Sequence, residues 1–146
     1  MKKISIMVPC YNEEEVLPET ARQLLEKMQS LMTAGKIMEK SRIVFVNDGS
    51  KDRTWELIQK FHAENPIYQG ISLSRNRGHQ NALLAGLMTV KEHCDMTISL
   101  DADLQDDIDA IDQMIAKYEA GNDTVSAVPE RRIPCSKSVP RRAFIK

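Results

Sequence analysis

A chain of 146 residues, 42% hydrophobic and 28% charged, has the size and composition of one globular domain, which excludes a disordered or low-complexity protein. The net charge of −1 hides a split, because six of the 20 Lys and Arg fall in residues 131–146, which hold no acid. The first 130 residues therefore set 14 bases against 21 acids, a balance of −7, and end in a basic segment. No nucleic-acid partner is expected.

In chain order, Ile4 to Val8 reads as a buried strand, and Val16, Leu17, Thr20, Leu24, Met28, Leu31 and Met32 recur at helical spacing. Ile43 to Val46, β-branched and aromatic, predicts a second strand; Trp55, Ile58 and Phe61 mark a second helix. Ile71-Ser72-Leu73 predicts a short third strand, followed by a helix over about Gln80 to His93 with Ala82, Ala85, Gly86 and Val90 near one face. Met96 to Leu100 is the fourth strand, Ile108, Ile111, Ile115 and Tyr118 a fourth helix, and Thr124 to Val128 a fifth strand. Strands alternating with helices predict an α/β fold with a mainly parallel sheet, whose ligand sits beyond the carboxyl ends of the strands.

Cys10, Cys94 and Cys135 are odd in number and form no CxxC pair, which reads as a reduced, cytosolic compartment. The opening MKKISIMVPCYNEEE breaks at Pro9 and runs into three Glu, unlike a cleavable signal. No stretch approaches the roughly 18 apolar residues of a spanning helix, so the chain by itself reads as soluble.

The segments after the strands are PCYNEEE, NDGSKDRT, SRNRGHQNA and DADLQDD, all polar and set to converge on one edge. If extended geometry continues past the fourth strand, Asp101, Asp103 and Gln105 share one side and offer three hard oxygens suited to Mg²⁺ or Mn²⁺. Asp106, Asp107 and Asp109 read instead as caps of the next helix. An EF-hand spacing fits in part, but position 106 is Asp where that loop needs Gly. In VNDGSKDRT, Asp48-Gly49 fits a turn and Thr54 a helix cap; Asp48 could equally accept a hydrogen bond from a nucleobase imino group, with Asn47 or Ser50 adding to it. Arg75 and Arg77 could meet phosphate, with Gly78 allowing close backbone approach. His79 reads as a loop residue, His62 and His93 as solvated helix residues, and Trp55 as core. No GxGxxG follows the first strand, which disfavours a dinucleotide-binding dehydrogenase, and a DxD after the fourth strand disfavours a haloacid-dehalogenase-like phosphatase.

VPCYNEEEVL, FVNDGSKDRTWELI, LSRNRGHQNALLAG and SLDADLQDD, in that order, resemble the inverting family 2 glycosyltransferases of the GT-A fold. Within them the chain most resembles the polyprenyl-phosphate group, the dolichol-phosphate mannose synthases and bacterial undecaprenyl-phosphate glucosyltransferases. The likeness runs to about Asp123 and implies a Rossmann-like nucleotide-diphospho-sugar transferase fold. It implies that Pro9, Tyr11, Asn12 and Glu13 line the nucleotide pocket, that Asp48 contacts the base, and that Ser50, Arg75, Asn76, Gly78, Asp101 and Ala102 complete the donor site. Asp101 and Asp103 match the family's DxD, with Gln105 as a further contact to Mg²⁺ or Mn²⁺ and Asp103 as the catalytic carboxylate.

The resemblance further implies a UDP- or GDP-linked sugar as donor and a polyprenyl phosphate as acceptor, an oxyanion that needs little general-base help. A saccharide acceptor, or a non-catalytic nucleotide-sugar binding module, are the alternatives. Residues 1–130 would be the nucleotide-sugar-binding core, and 131–146 a basic segment leading toward a C-terminal part. There Arg131, Arg132, Arg141, Arg142 and Lys146 resemble the family's basic loop before an interfacial helix, placing the full-length protein on the cytoplasmic side of an anionic membrane surface, with a homo-oligomer compatible. Two departures stand out: Asp106-Asp107-Ile108-Asp109 replaces the family's DPPE, and the Arg pair lacks its usual preceding Gly. Family members also run on further, so the chain is expected to be a fragment or a truncation, able to bind donor without turning it over.

Overall fold

Four short apolar runs become four parallel strands in a computed structural model that describes residues 2–103 and 108–122. The expected fifth strand, Gln105, Asp106, Asp107, Cys135 and the basic segment lie outside the described residues. The elements are β1 (Ile4–Cys10), α1 (Leu17–Thr33), β2 (Arg42–Asn47), α2 (Thr54–Glu64), β3 (Tyr68–Ser72), α3 (His79–Val90), β4 (Met96–Ser99) and α4 (Ala110–Glu119). The sheet order is β3-β2-β1-β4, all parallel.

β1 is central and every one of its residues is buried, as a strand covered on both faces must be. Alternation sorts its side chains: Ile4, Ile6, Val8 and Cys10 join Ile43 and Phe45 against α1, α2 and α4, while Met7 joins Val44 and Val46 against α3. Fully burying side chains such as Ile6, Leu24 or Phe45 contributes roughly 1.5–3 kcal/mol each. Gly86 sets the height of α3 above the sheet, because a Cβ there would lie 2.8 Å from Met7 Sδ and 2.9 Å from Val46 Cγ2. On the opposite face, Lys27 of α1 pairs with Asp112 of α4 and reaches Asp109 at 3.5 Å.

β1 runs two residues further than its apolar pattern, through Pro9. Met7 O accepts from Leu100 N toward β4 and Cys10 O from Asp48 N toward β2, so Pro9 faces the β4 side. The β1–β4 ladder stops at Met7–Ser99, and the missing N–H of Pro9 therefore costs no ladder bond. β3 begins at Tyr68, earlier than the expected Ile71, because exposed Gln69 and Gly70 interrupt the apolar signal of an edge strand. Gly70 fits against α2, where a Cβ would stand 2.5 Å from Ile58 Cγ2. Thr54 opens α2 but does not cap it with its side chain, and Asp109 precedes α4 without a side-chain cap bond. Among the described residues no helix is long and apolar enough to cross a membrane.

Candidate functional site

The carboxyl ends of the parallel strands open on one edge, and short polar bonds weld the loops there into one surface. After β1, Asn12 takes φ 51°, a left-handed conformation that Asn tolerates better than most residues. Its N–H donates to Ser50 Oγ at 3.0 Å, and its Oδ1 accepts from Lys51 N at 2.8 Å. Glu13 N donates to Thr54 Oγ1 at 2.9 Å and Glu14 N to Asp52 Oδ2 at 3.3 Å. The buried Thr54 hydroxyl therefore braces the first loop, and Asp52 takes the helix-start role by accepting from Thr54 N at 2.9 Å. Burial pushes the Asp52 carboxyl up, but the Thr54 hydroxyl and N–H and the Glu14 N–H more than offset this and hold it below the usual range.

After β2, the loop closes on the one after β3. Asn47 Oδ1 accepts from Ser50 N at 3.1 Å while its Nδ2 donates to Ser72 Oγ at 3.0 Å. Gly49, at φ 67°, lies so near the next loop that a Cβ would stand 2.3 Å from Asn76 N. Arg77 N donates to Asp48 Oδ1 at 2.7 Å, and Gly78 N to Asn76 Oδ1 at 2.9 Å. Gly78 itself has φ 88° and ψ 154°, a conformation nearly reserved for glycine, and launches α3.

Between these loops lies an open cavity of about 180 Å³ lined by Pro9, Cys10, Tyr11, Glu13, Asp48, Asn76, Gly78, His79 and Ala82. Six of these were expected from the sequence; Cys10, His79 and Ala82 were not. His79 is the first residue of α3 and not a loop residue, and Ala82 lies almost one turn on, so both reach the cavity through the start of that helix. Strand alternation assigns Cys10 to the core with Ile4, Ile6 and Val8, so the sequence pattern held no signal for its place at the cavity. Burial pushes its thiol up, with Glu13 adding to the effect, which disfavours the thiolate.

The DADLQ segment does not continue as extended chain: β4 ends at Ser99, and Ala102 and Asp103 form a turn. The extended geometry expected to set Asp101 and Asp103 on one side therefore does not hold, and Gln105 lies outside the described residues. Ala102 is buried and its carbonyl accepts from Thr20 Oγ1, which pins the turn to α1. Electrostatics nevertheless join this turn to the first loop. The Glu13 carboxyl is pushed above its usual range by burial first, then by Asp103, Asp52 and Asp101. Among the described residues no three or more His, Cys, Asp or Glu come close enough to enclose a metal. Asp101 and Asp103 alone supply two hard carboxylate oxygens, a donor set that suits Mg²⁺ or Mn²⁺ only when water and a phosphate-bearing ligand complete the shell.

Asn12, Ser50, Arg75, Asp101, Ala102 and Asp103 thus stand around the cavity's loops without lining it, Asn12 and Ser50 as cross-links between loops.

A family described as "Glycosyl transferase family 2" matches residues 5–144. The uncharacterized glycosyltransferase YkoT of Bacillus subtilis (strain 168) is 49% identical over 129 residues, 88% of this chain and 38% of YkoT. The chain thus spans under two fifths of the length of the curated relatives it matches. Among solved structures, S. aureus TarS 1-349 superposes at TM-score 0.64 with 21% identity, over 92% of this chain and 39% of TarS. TarS 1-349 has also been solved in complex with UDP. The mannosyltransferase PcManGT of Pyrobaculum calidifontis, in complex with GDP-Man and Mn²⁺, superposes at TM-score 0.53 with 20% identity, over 70% of this chain and 28% of PcManGT. At such identities the likeness establishes the fold, the GT-A arrangement of a parallel sheet with alternating helices.

Proposed function

The chain belongs to glycosyl transferase family 2, and from that premise we propose that it forms the donor-binding part of an enzyme that transfers a sugar from a nucleoside diphosphate. The observation that carries this reading is the cavity at the strand ends, lined by Glu13 and Asp48, with Asp101 and Asp103 near enough to Glu13 to raise its carboxyl. Pro9 and Tyr11 wall the base, Asp48 accepts its ring N–H, and Arg75, Asn76 and Gly78 meet the diphosphate. Asp101 and Asp103, joined by Gln105, hold Mg²⁺ or Mn²⁺, which supplies Lewis-acid stabilisation of the departing nucleotide when bound. That fold neighbours were solved with UDP or with GDP-Man and Mn²⁺ supports this donor class.

For the acceptor we infer a polyprenyl phosphate, supported by the likeness of the four ordered motifs to that branch of the family. Residues 1–130 serve as the donor core, and the basic segment 131–146 approaches an anionic membrane surface in the full-length protein, each charge there contributing roughly 1 kcal/mol.

Calorimetric titration of UDP and GDP with and without Mn²⁺, on the wild type and on Asp103→Asn, tests the donor reading. Metal and nucleotide should each raise the other's affinity by one common factor, and Asp103→Asn should abolish that coupling. Equal binding in EDTA would sink the metal assignment. Sedimentation of the full-length protein with anionic and neutral vesicles tests the membrane role, which fails if both retain it equally.

A further inference from the structure

The charged groups that line the cavity are acidic, yet a nucleotide sugar is itself an anion. Glu13 and Asp48 belong to the lining, and Asp101 and Asp103 stand near enough to Glu13 to raise its carboxyl. A divalent ion at the DxD offsets the phosphate charges from one side only. Among the described residues no Lys or Arg lines the cavity, and His79 is the one lining side chain able to carry positive charge. His79 is exposed at the start of α3, and among the described residues its ring makes no hydrogen bond or ion pair with the protein. The ring is therefore free to meet a ligand.

Resting on the donor-site reading above, we propose that His79 is the cationic contact of the donor's diphosphate and couples donor binding to protonation. Base and sugar are neutral, so only the phosphates reward a positive ring with a charge-assisted hydrogen bond. Imidazole changes charge across neutral pH, so donor binding takes up a proton there and rising pH weakens it. Proton and donor each raise the other's affinity by one factor. Around the ring stand Cys10, Tyr11 and Glu13 from the β1 side, Asp48 from the end of β2, and Arg75 and Arg77 in the loop before α3. All of them persist when position 79 alone is changed, so a lost pH profile belongs to the His79 ring.

His79→Gln leaves a neutral polar side chain, and His79→Lys a fixed positive charge. The test is calorimetric titration of the full-length protein in Mg²⁺ with UDP-glucose and GDP-mannose from about pH 5.5 to 8, where imidazole loses its charge but their phosphodiesters do not change theirs. Uridine and guanosine serve as phosphate-free controls. Wild-type affinity for the nucleotide sugar that binds should fall roughly tenfold over that range, about the worth of one charge-assisted hydrogen bond, while nucleoside binding stays level. His79→Gln should bind weakly at every pH, and His79→Lys should hold the low-pH affinity throughout. A profile that still falls with pH in His79→Gln, or an equal loss in both variants at every pH, overturns the role of His79 and leaves the donor site standing. If the wild type binds neither nucleotide sugar at any pH, the donor-site reading itself fails, and this assignment with it.

Discussion

Asn12 and Ser50, 38 residues apart, hydrogen-bond across the sheet edge, the Asn12 N–H donating to Ser50 Oγ at 3.0 Å while Asn12 Oδ1 accepts from Lys51 N. Asn12 also holds a positive φ, so its replacement loses both a loop link and a conformational preference. Asn12→Ala is expected to cost about 1–3 kcal/mol and Ser50→Ala about 0.5–1.5 kcal/mol, the former adding backbone strain to a lost bond. Urea denaturation of both variants measures the order, and equal losses would show that the strain at position 12 is negligible.

Gly49 and Gly78 both sit at positive φ, but only Gly49 is crowded, since a Cβ at Gly78 meets nothing within 4 Å. Gly78→Ala should therefore cost only its backbone strain, about 1–3 kcal/mol. Gly49→Ala adds a backbone clash that must push the two loops apart, so it should cost more and should weaken nucleotide binding as well. Thermal melts with and without nucleoside diphosphate separate the two effects.

The raised Glu13 carboxyl predicts a pH signature. Its folded value exceeds the ordinary 4.5, so the folded state holds the proton more tightly, and stability falls as pH rises from about 4.5 through that folded value. At neutral pH the ionised Glu13 opposes its acidic neighbours, and Glu13→Gln should melt higher than the wild type there. Well below pH 4.5 both carry a neutral side chain and the gain should disappear. A gain of the same size at every pH would assign it to packing instead.

Asp112 carries the opposite sign. The hydrogen bond from Lys27 lowers its carboxyl below the usual range, so its contribution is present above the ordinary 3.8 and is lost as pH falls through the lowered value. Asp112→Asn should destabilise by about 0.5–1 kcal/mol at neutral pH, the pair being partly exposed, and the difference should shrink in acid and in high salt. Melting curves across pH and ionic strength check both trends.

The alternation of elements was legible because the strands β1, β2 and β4 are buried apolar runs, and α1 repeats its core residues Leu17, Ala21, Leu24 and Met28 at helical spacing. β3 was half-legible, since an edge strand with exposed Gln69 and Gly70 has little hydrophobic pattern to read. At the site, motif order pointed to Pro9, Tyr11, Glu13 and Asp48, which do line one cavity. The Glu13–Thr54 and Asp48–Arg77 bonds were hidden, because they join side chains to backbone groups whose partners depend on how loops meet in space. The turn at Ala102 broke the same-side reading of the DxD, since Thr20 on a distant helix captures its carbonyl.

The middle position of β1 has a consequence for the nascent chain. β1 is made before both of its neighbours: it gains β2 on one edge, but its other edge waits for β4, and Lys3 N meets the Asp95 carboxylate only 92 residues later. During that interval a largely apolar strand is left with an open flank, a template for pairing with a neighbouring chain. Translation speed between α2 and β4, and chaperone access to β1, should therefore govern the yield of folded protein more strongly than the stability of the finished sheet.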